Sequence, residues 1–319
     1  MPATQASPRP APRAALAAAF AALYVFWGST YLGSKFAMES LPPYLLGGIR
    51  FIIAGIAMAG ILLATRTLRP SDFASVRWWR NCGAAGLLFF AVANGLVSVS
   101  VQRIPSGLAA LVVALTSVWI VAFDRMITRA GRPSPAITAG LACGVVGVAI
   151  LGGPSWNGPA GELDPVGLLL VTLSTVAWAL GTMVAKHTDR PPSLWAASVM
   201  QMLVGGVGML ILSVAFERSR WPAWDAVTPG SLWAVAYLVT FGSLVGFSAY
   251  MWLLQHASAA AVATYAYVNP LVALGLGAAL AGERVPPRTG PAAALILGSV
   301  ALIQFVRPPP RDEPPVEEE

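Results

Sequence analysis

Between Asp225 and Glu283 the chain runs for 57 residues without Asp, Glu, Lys or Arg. A stretch of that length cannot be wrapped in a polar surface, so water is not its solvent. A helix that crosses a bilayer needs about 20 mostly apolar residues, so the stretch is too long for one crossing and suits two. Its most polar interruption, Gln255 to Ser258, is the expected break. The rest of the chain has the same character. Of its 319 residues 56% are hydrophobic and only 11% charged, against about 25% charged in soluble domains.

Charges punctuate the sequence into ten expected spans: 14–34, 44–65, 81–102, 105–123, 134–153, 165–185, 193–216, 230–253, 259–281 and 289–306. Prolines (Pro42-Pro43, Pro105, Pro133, Pro165, Pro191-Pro192) fall at span starts or in turns, where a missing N–H does least harm. Residues 1–13, rich in Pro and Ala, are expected to be a disordered cytoplasmic segment. The first apolar run is too long for a signal peptide and has no clear cleavage site. Residues 307–319 are expected to form a cytoplasmic tail. With a cytoplasmic N-terminus, 13 Lys and Arg fall on the cytoplasmic side and six on the other, so both termini are placed inside by the positive-inside rule.

The net charge of +6 does not point to nucleic acid. The arginines are scattered over short loops, no basic stripe alternates with aromatics, and the tail ends in Glu317, Glu318 and Glu319. Cys82 and Cys143 lie on different spans without metal-ligand spacing, so neither a metal nor a cofactor is expected. The stretch from Gly28 to Lys35, GSTYLGSK, misses the P-loop pattern by one position and lies within a span, which excludes an ATP-driven pump.

A repeat organises the spans. Trp27 precedes Lys35 by eight residues, Trp178 precedes Lys186 by eight, and both pairs are offset by 151 residues. Ser106–Ser117 aligns with Ala259–Pro270 as the fourth helix of each half. Ten spans divide into two sets of five, and an odd number of spans inverts the second copy. The expected fold is therefore all-α and polytopic, with ten transmembrane helices as two inverted five-helix repeats, residues 14–153 and 165–306. In transporters built this way the substrate site lies at the repeat interface.

The stretches YVFWGSTYLGSKFAMESLPPYLLGGIRFIIAG near the start and AYVNPLVALGLGAALAGERVPPRTGPAAALILGSVALI near the end resemble the EamA family of the drug/metabolite transporter superfamily. The opening is similar to its YedA-like exporters, and the likeness spans residues 14–306. The resemblance implies ten helices in two repeats, cytoplasmic termini, and export of small metabolites or amino acids. The family usually carries a proline midway along the fourth helix, as Pro270 does in the second half. Ser117 stands there in the first half, so that helix is expected to be the straighter of the two.

Polar side chains within spans are costly in lipid and usually face the bundle interior. On this ground a central cavity is expected between the halves. Its expected lining is Trp27, Thr30, Asn94, Thr116, Trp178, Thr182, Tyr250, Tyr265 and Asn269, with Lys35 and Lys186 at opposite mouths to attract anionic groups. Gly140-xxx-Gly144 and Gly242-xxx-Gly246 are candidate helix contacts. Glu39, Asp124 and Glu283 are the carboxylates nearest the spans, and all sit at helix ends. Transport down the solute's gradient, or exchange, without an obligatory proton is therefore expected. The expected partners are a small-molecule substrate and membrane lipid, with the chain monomeric. A membrane enzyme acting on a lipid-linked substrate is the alternative, although His187 and His256 lie at loop edges without a carboxylate at ligand spacing.

Overall fold

The computed structural model describes residues 12–128, 135–152, 164–257, 259–262 and 264–305. Most of the expected N-terminal segment and all of the tail lie outside these residues. The described chain forms ten apolar helices. The first five are α1 (Arg13–Ala37), α2 (Pro43–Ala64), α3 (Val76–Ser100), α4 (Ser106–Ile127) and α5 (Pro135–Gly152). The second five are α6 (Pro165–His187), α7 (Leu194–Phe216), α8 (Pro229–Tyr237, Leu238–Val245 and Gly246–His256), α9 (Ala259–Val262 and Tyr265–Ala281) and α10 (Thr289–Phe305). Seven are long and apolar enough to cross a membrane, and α5, α9 and α10 contribute shorter apolar helices. The break between α8 and α9 falls where the polar interruption predicted it, with Ala257 extended at φ −127° and ψ 160°.

Local chemistry sets the ends. Asp164 caps α6 by accepting from the N–H groups of Val166 at 2.8 Å and Gly167 at 3.3 Å. Thr228 caps α8 through Ser231 N–H. Satisfying these first-turn donors matters more in lipid than in water, because no solvent is there to bond them. Large apolar side chains such as Ile56 (60% exposed) and Ile211 (62% exposed) point outward. In water they would be a liability; against lipid they need no cover.

The packing shows the repeat directly. α1 lies against α8 and α9 of the other half, and α6 lies against α3 and α4. α2 pairs with α7, and α5 with α10. Adding five to each number maps these contacts onto one another. The two halves are thus intertwined, each lending its first helix to the other.

α3 and α8 each widen into a π-helical segment, Leu87–Asn94 and Leu238–Val245. The two are displaced by 151 residues, the same offset that separates Trp27 from Trp178. π segments are rare and frequently sit at functional sites. Here each one faces the first helix of the opposite repeat.

Both fourth helices are interrupted, the first-half one without a proline. α4 is interrupted at Ala114–Leu115, where Ala114 N–H donates to Leu111 O at 3.2 Å and Leu115 N–H to Val112 O at 3.0 Å. These bonds span three residues rather than four, so one turn tightens and the helix is offset without any missing donor. α9 is interrupted at Thr264, and Pro270 lies further on, inside its longer helix.

Candidate functional site

Trp27 reaches from α1 onto the π segment of α8, its indole N–H donating to Gly242 O at 3.1 Å. A Cβ on Gly246 would stand 2.7 Å from Trp27 Nε1, so the ring fits only because that position carries none. The ring lies 5.2 Å from Tyr250 and meets Tyr265 edge-on at 5.4 Å, and the two tyrosines are 6.0 Å apart. Three of the predicted site residues therefore form one aromatic group joining α1, α8 and α9. Two residues along α1, Ser29 Oγ and Tyr237 Oη share a hydrogen bond of 2.6 Å. The Thr30 hydroxyl donates to Trp27 O in its own helix, 2.7 Å away.

Trp178 occupies the corresponding place in the other half, but its neighbours are phenyl rings. Phe89 lies at 4.9 Å and Phe90 edge-on at 6.4 Å, both on the π segment of α3, and Phe51 backs Phe90 at 4.2 Å. The Thr182 hydroxyl donates to Trp178 O. The predicted residues thus fall into two groups related by the repeat rather than one ring of contacts. Asn94 closes the α3 π segment, half-buried. The Thr116 hydroxyl and Asn269 Oδ1 are buried with no hydrogen-bond partner among the described residues.

Arg50 was not among the predicted site residues. It lies seven residues into α2, about 10 Å along the helix axis, and is 7% exposed. Its Nε donates to Ser243 Oγ at 3.0 Å, and its guanidinium carbon lies 4.8 Å from the Phe51 ring centre. A Cβ on Gly242 would meet Thr30 Cγ2 at 2.9 Å and Arg50 Nη2 at 3.0 Å, so the cation, α1 and the α8 π segment converge at this glycine. No carboxylate among the described residues forms an ion pair with Arg50. The signal was visible as the one charge inside a span, and only the fold shows that its neighbours leave it unneutralised.

The predicted mouth lysines are both engaged. Lys35 at the end of α1 binds Glu283 at 2.7 Å. The left-handed Gly282 (φ 59°) turns the chain so that Glu283 N–H bonds back to Gly277 O, and no residue with a side chain adopts that turn as readily. The Glu283 carboxylate, 5% exposed, also accepts from Ser106 N–H at 3.1 Å and Ser106 Oγ at 3.0 Å, tying α1, α4 and α9 together. Burial works against its charge, yet the Lys35 ammonium and the Ser106 donors hold its carboxyl below the usual carboxylate range. Lys186 at the end of α6 binds Asp124 of α4 at 2.6 Å, with His187 at 3.1 Å from the same oxygen. The two lysines stand at opposite ends of the bundle, each with a carboxylate partner rather than bare.

One buried carboxylate escaped the sequence reading. Glu217, just past α7, is 4% exposed and accepts from the N–H groups of Tyr44 and Leu45 at 3.0 and 3.1 Å and from Ser213 Oγ at 2.9 Å. α2 opens with Pro42-Pro43 and has no capping side chain of its own, so this glutamate does the work across the repeat interface. A crevice of about 640 Å³ opens between α1, α2, α7 and α8 at the end of the bundle where α1 begins. Its walls include Ala19, Met58, Leu62, Trp195, Ser248 and Trp252, and none of the predicted site residues. Met58 is eight residues from Arg50 along α2, about 12 Å of helix, and Leu244, also in the lining, directly follows Ser243.

The EamA-like transporter family matches this chain twice, over residues 14–153 and 165–305. The chain belongs to that family. It is therefore a multi-pass membrane transporter and not an enzyme, which disposes of the lipid-substrate alternative. Among EamA relatives it is 35% identical to the uncharacterized inner membrane transporter YedA of Escherichia coli (strain K12), over 88% of each chain. It is 26% identical to the S-adenosylmethionine/S-adenosylhomocysteine transporter of Chlamydia trachomatis, covering 82% of this chain and 80% of that one. It is 24% identical to the probable amino-acid metabolite efflux pump of Salmonella typhimurium, covering 88% and 92%.

Proposed function

We propose that this EamA transporter exports small metabolites of the amino-acid class by alternating access, moving them down their own gradient or by exchange. The observation that carries the reading is the intertwined packing, in which Trp27 and Trp178 bear on the π segments of opposite repeats at one common offset. Two half-sites of this kind can exchange conformations, and each exchange turns the path between them toward the other face. The proposed path runs past Trp27, Thr30, Tyr250, Tyr265 and Asn269 on one side and Asn94, Thr116, Trp178 and Thr182 on the other. The unpartnered Thr116 and Asn269 oxygens are the kind of group that water or solute satisfies.

The Lys35–Glu283 and Lys186–Asp124 pairs act as latches at opposite ends, one parting as the other closes. The amino-acid class is supported by the Salmonella and Chlamydia relatives, a probable amino-acid metabolite efflux pump and an S-adenosylmethionine/S-adenosylhomocysteine transporter, and the inner membrane by YedA. The positive-inside bias favours cytoplasmic termini. Purified protein in proteoliposomes should release preloaded L-amino acids with neither a pH gradient nor a membrane potential. Uphill accumulation driven by an imposed pH gradient and abolished by an uncoupler would overturn the facilitative reading.

A further inference from the structure

An ion in the interior of a bilayer protein is expensive, and an unpaired one far more so. Ion pairs relieve that cost at both ends of this bundle, but not at Arg50. Its Nε is held by Ser243 and its flank by the Phe51 ring. Its two terminal nitrogens have no hydrogen-bond partner among the described residues. One of them, Nη2, lies beside Gly242, where an ideal Cβ would stand 3.0 Å from it and 2.9 Å from Thr30 Cγ2. The repeat sharpens the point: the offset of 151 residues carries Arg50 onto Gln201, so the cation belongs to one half-site alone.

We propose that Arg50 is the substrate-recognition cation, and that the transported solute presents a carboxylate to it. This rests on the transport reading above and narrows its substrate class. A planar guanidinium offers two parallel N–H donors that match the two oxygens of a carboxylate, and the fit is lost with a neutral amide. Ser243 positions the fork by taking Nε, which leaves the terminal nitrogens free to bind. The Trp27, Tyr250 and Tyr265 rings lie beyond Gly242 on the α1 side, so an ammonium or an apolar side chain on the same solute meets aromatic faces. The apolar crevice is lined by Leu244, the residue after Ser243, and by Met58, about 12 Å along α2 from Arg50.

The test uses the full chain in proteoliposomes, with each of the twenty L-amino acids and its carboxamide as paired probes. For transported probes the acid should move at least about tenfold faster than the amide, as expected for loss of a charge-assisted bidentate contact. Arg50→Gln should raise KM for the acid by about tenfold or more and so erase the preference for acid over amide, and Arg50→Lys should restore part of that preference. Acid and amide moving equally in the wild type, or Arg50→Gln lowering both alike, would overturn this inference while sparing the transport reading. Failure of every probe to move would overturn both. If Arg50→Gln does not fold, Ser243→Ala keeps the charge and loosens its aim. It should raise KM for the acid several-fold and not for the amide, and an unchanged KM for the acid would refute the role.

Discussion

The two half-sites share a backbone plan and differ in chemistry. Around Trp27 the α8 π segment presents a carbonyl acceptor, a serine holding an arginine, and two tyrosines from α8 and α9. Around Trp178 the α3 π segment presents two phenylalanines and little else. A symmetric machine would need neither difference. The common geometry serves motion, since both halves must adopt each other's shape, while the divergent side chains serve recognition, which needs only one charged wall. Conformational exchange and specificity are thus carried by separable features of one duplicated unit.

The comparison is broken or sharpened by paired substitutions. The largest difference is expected at the latches. Glu283→Ala removes a buried carboxylate and strands the Ser106 donors, and it should cost about 2–3 kcal/mol. Asp124→Ala opens a more exposed pair and should cost no more than about 1 kcal/mol. Thermal denaturation in detergent measures both, and equal losses would mean that the two ends are energetically alike. Next, Trp27→Phe keeps the ring but loses the bond to Gly242 O, leaving that carbonyl unpaired at a cost of about 1–3 kcal/mol, and flux should fall about tenfold. Trp178→Phe loses only ring area against phenyl neighbours, and flux should stay within about twofold. A matched loss in both would show that the half-sites recognise solute equally.

Smaller effects separate the caps. Ser193 caps α7 within its own repeat through Ala196 N–H, whereas α2 borrows Glu217 from the other. Ser193→Ala should cost about 1 kcal/mol. Glu217→Gln, which keeps an acceptor but loses the charge, should cost somewhat more because two N–H groups depend on it. The smallest effect is with pH. The Glu283 carboxyl is held below its ordinary value of 4.5. Its contribution is therefore fully present above that value and lost only as pH falls through the lower, folded-state one. Flux should show no step from this latch between about pH 5 and 8, and a step that Glu283→Gln removes would contradict the assignment.

Spans and repeat were legible because both follow from one-dimensional patterns. Uncharged runs mark crossings, and the shared Trp-to-Lys spacing marks the duplication. The chemistry of the site was less so. Trp27, Tyr250 and Tyr265 were each picked out as polar or aromatic groups in apolar spans, but which meet depends on α1 crossing to the other half. Arg50 and Glu217 were visible as residues and silent as to role, since burial and missing counter-charges are properties of packing. The interruption of α4 carries no proline to announce it, because it is made by three-residue hydrogen bonds that many sequences can form.

The exchange of first helices between halves also sets a timetable for synthesis. Trp27 contacts Gly242 across 215 residues of chain. At about 5–20 residues per second, α1 leaves the ribosome on the order of 10–40 s before its partners exist. Throughout that interval its indole N–H and its closing lysine lack the partners they bond in the finished bundle. The final bundle therefore forms late and cooperatively, and a truncated product that ends before α8 would hold an inserted but unanchored first helix, a natural substrate for membrane quality control.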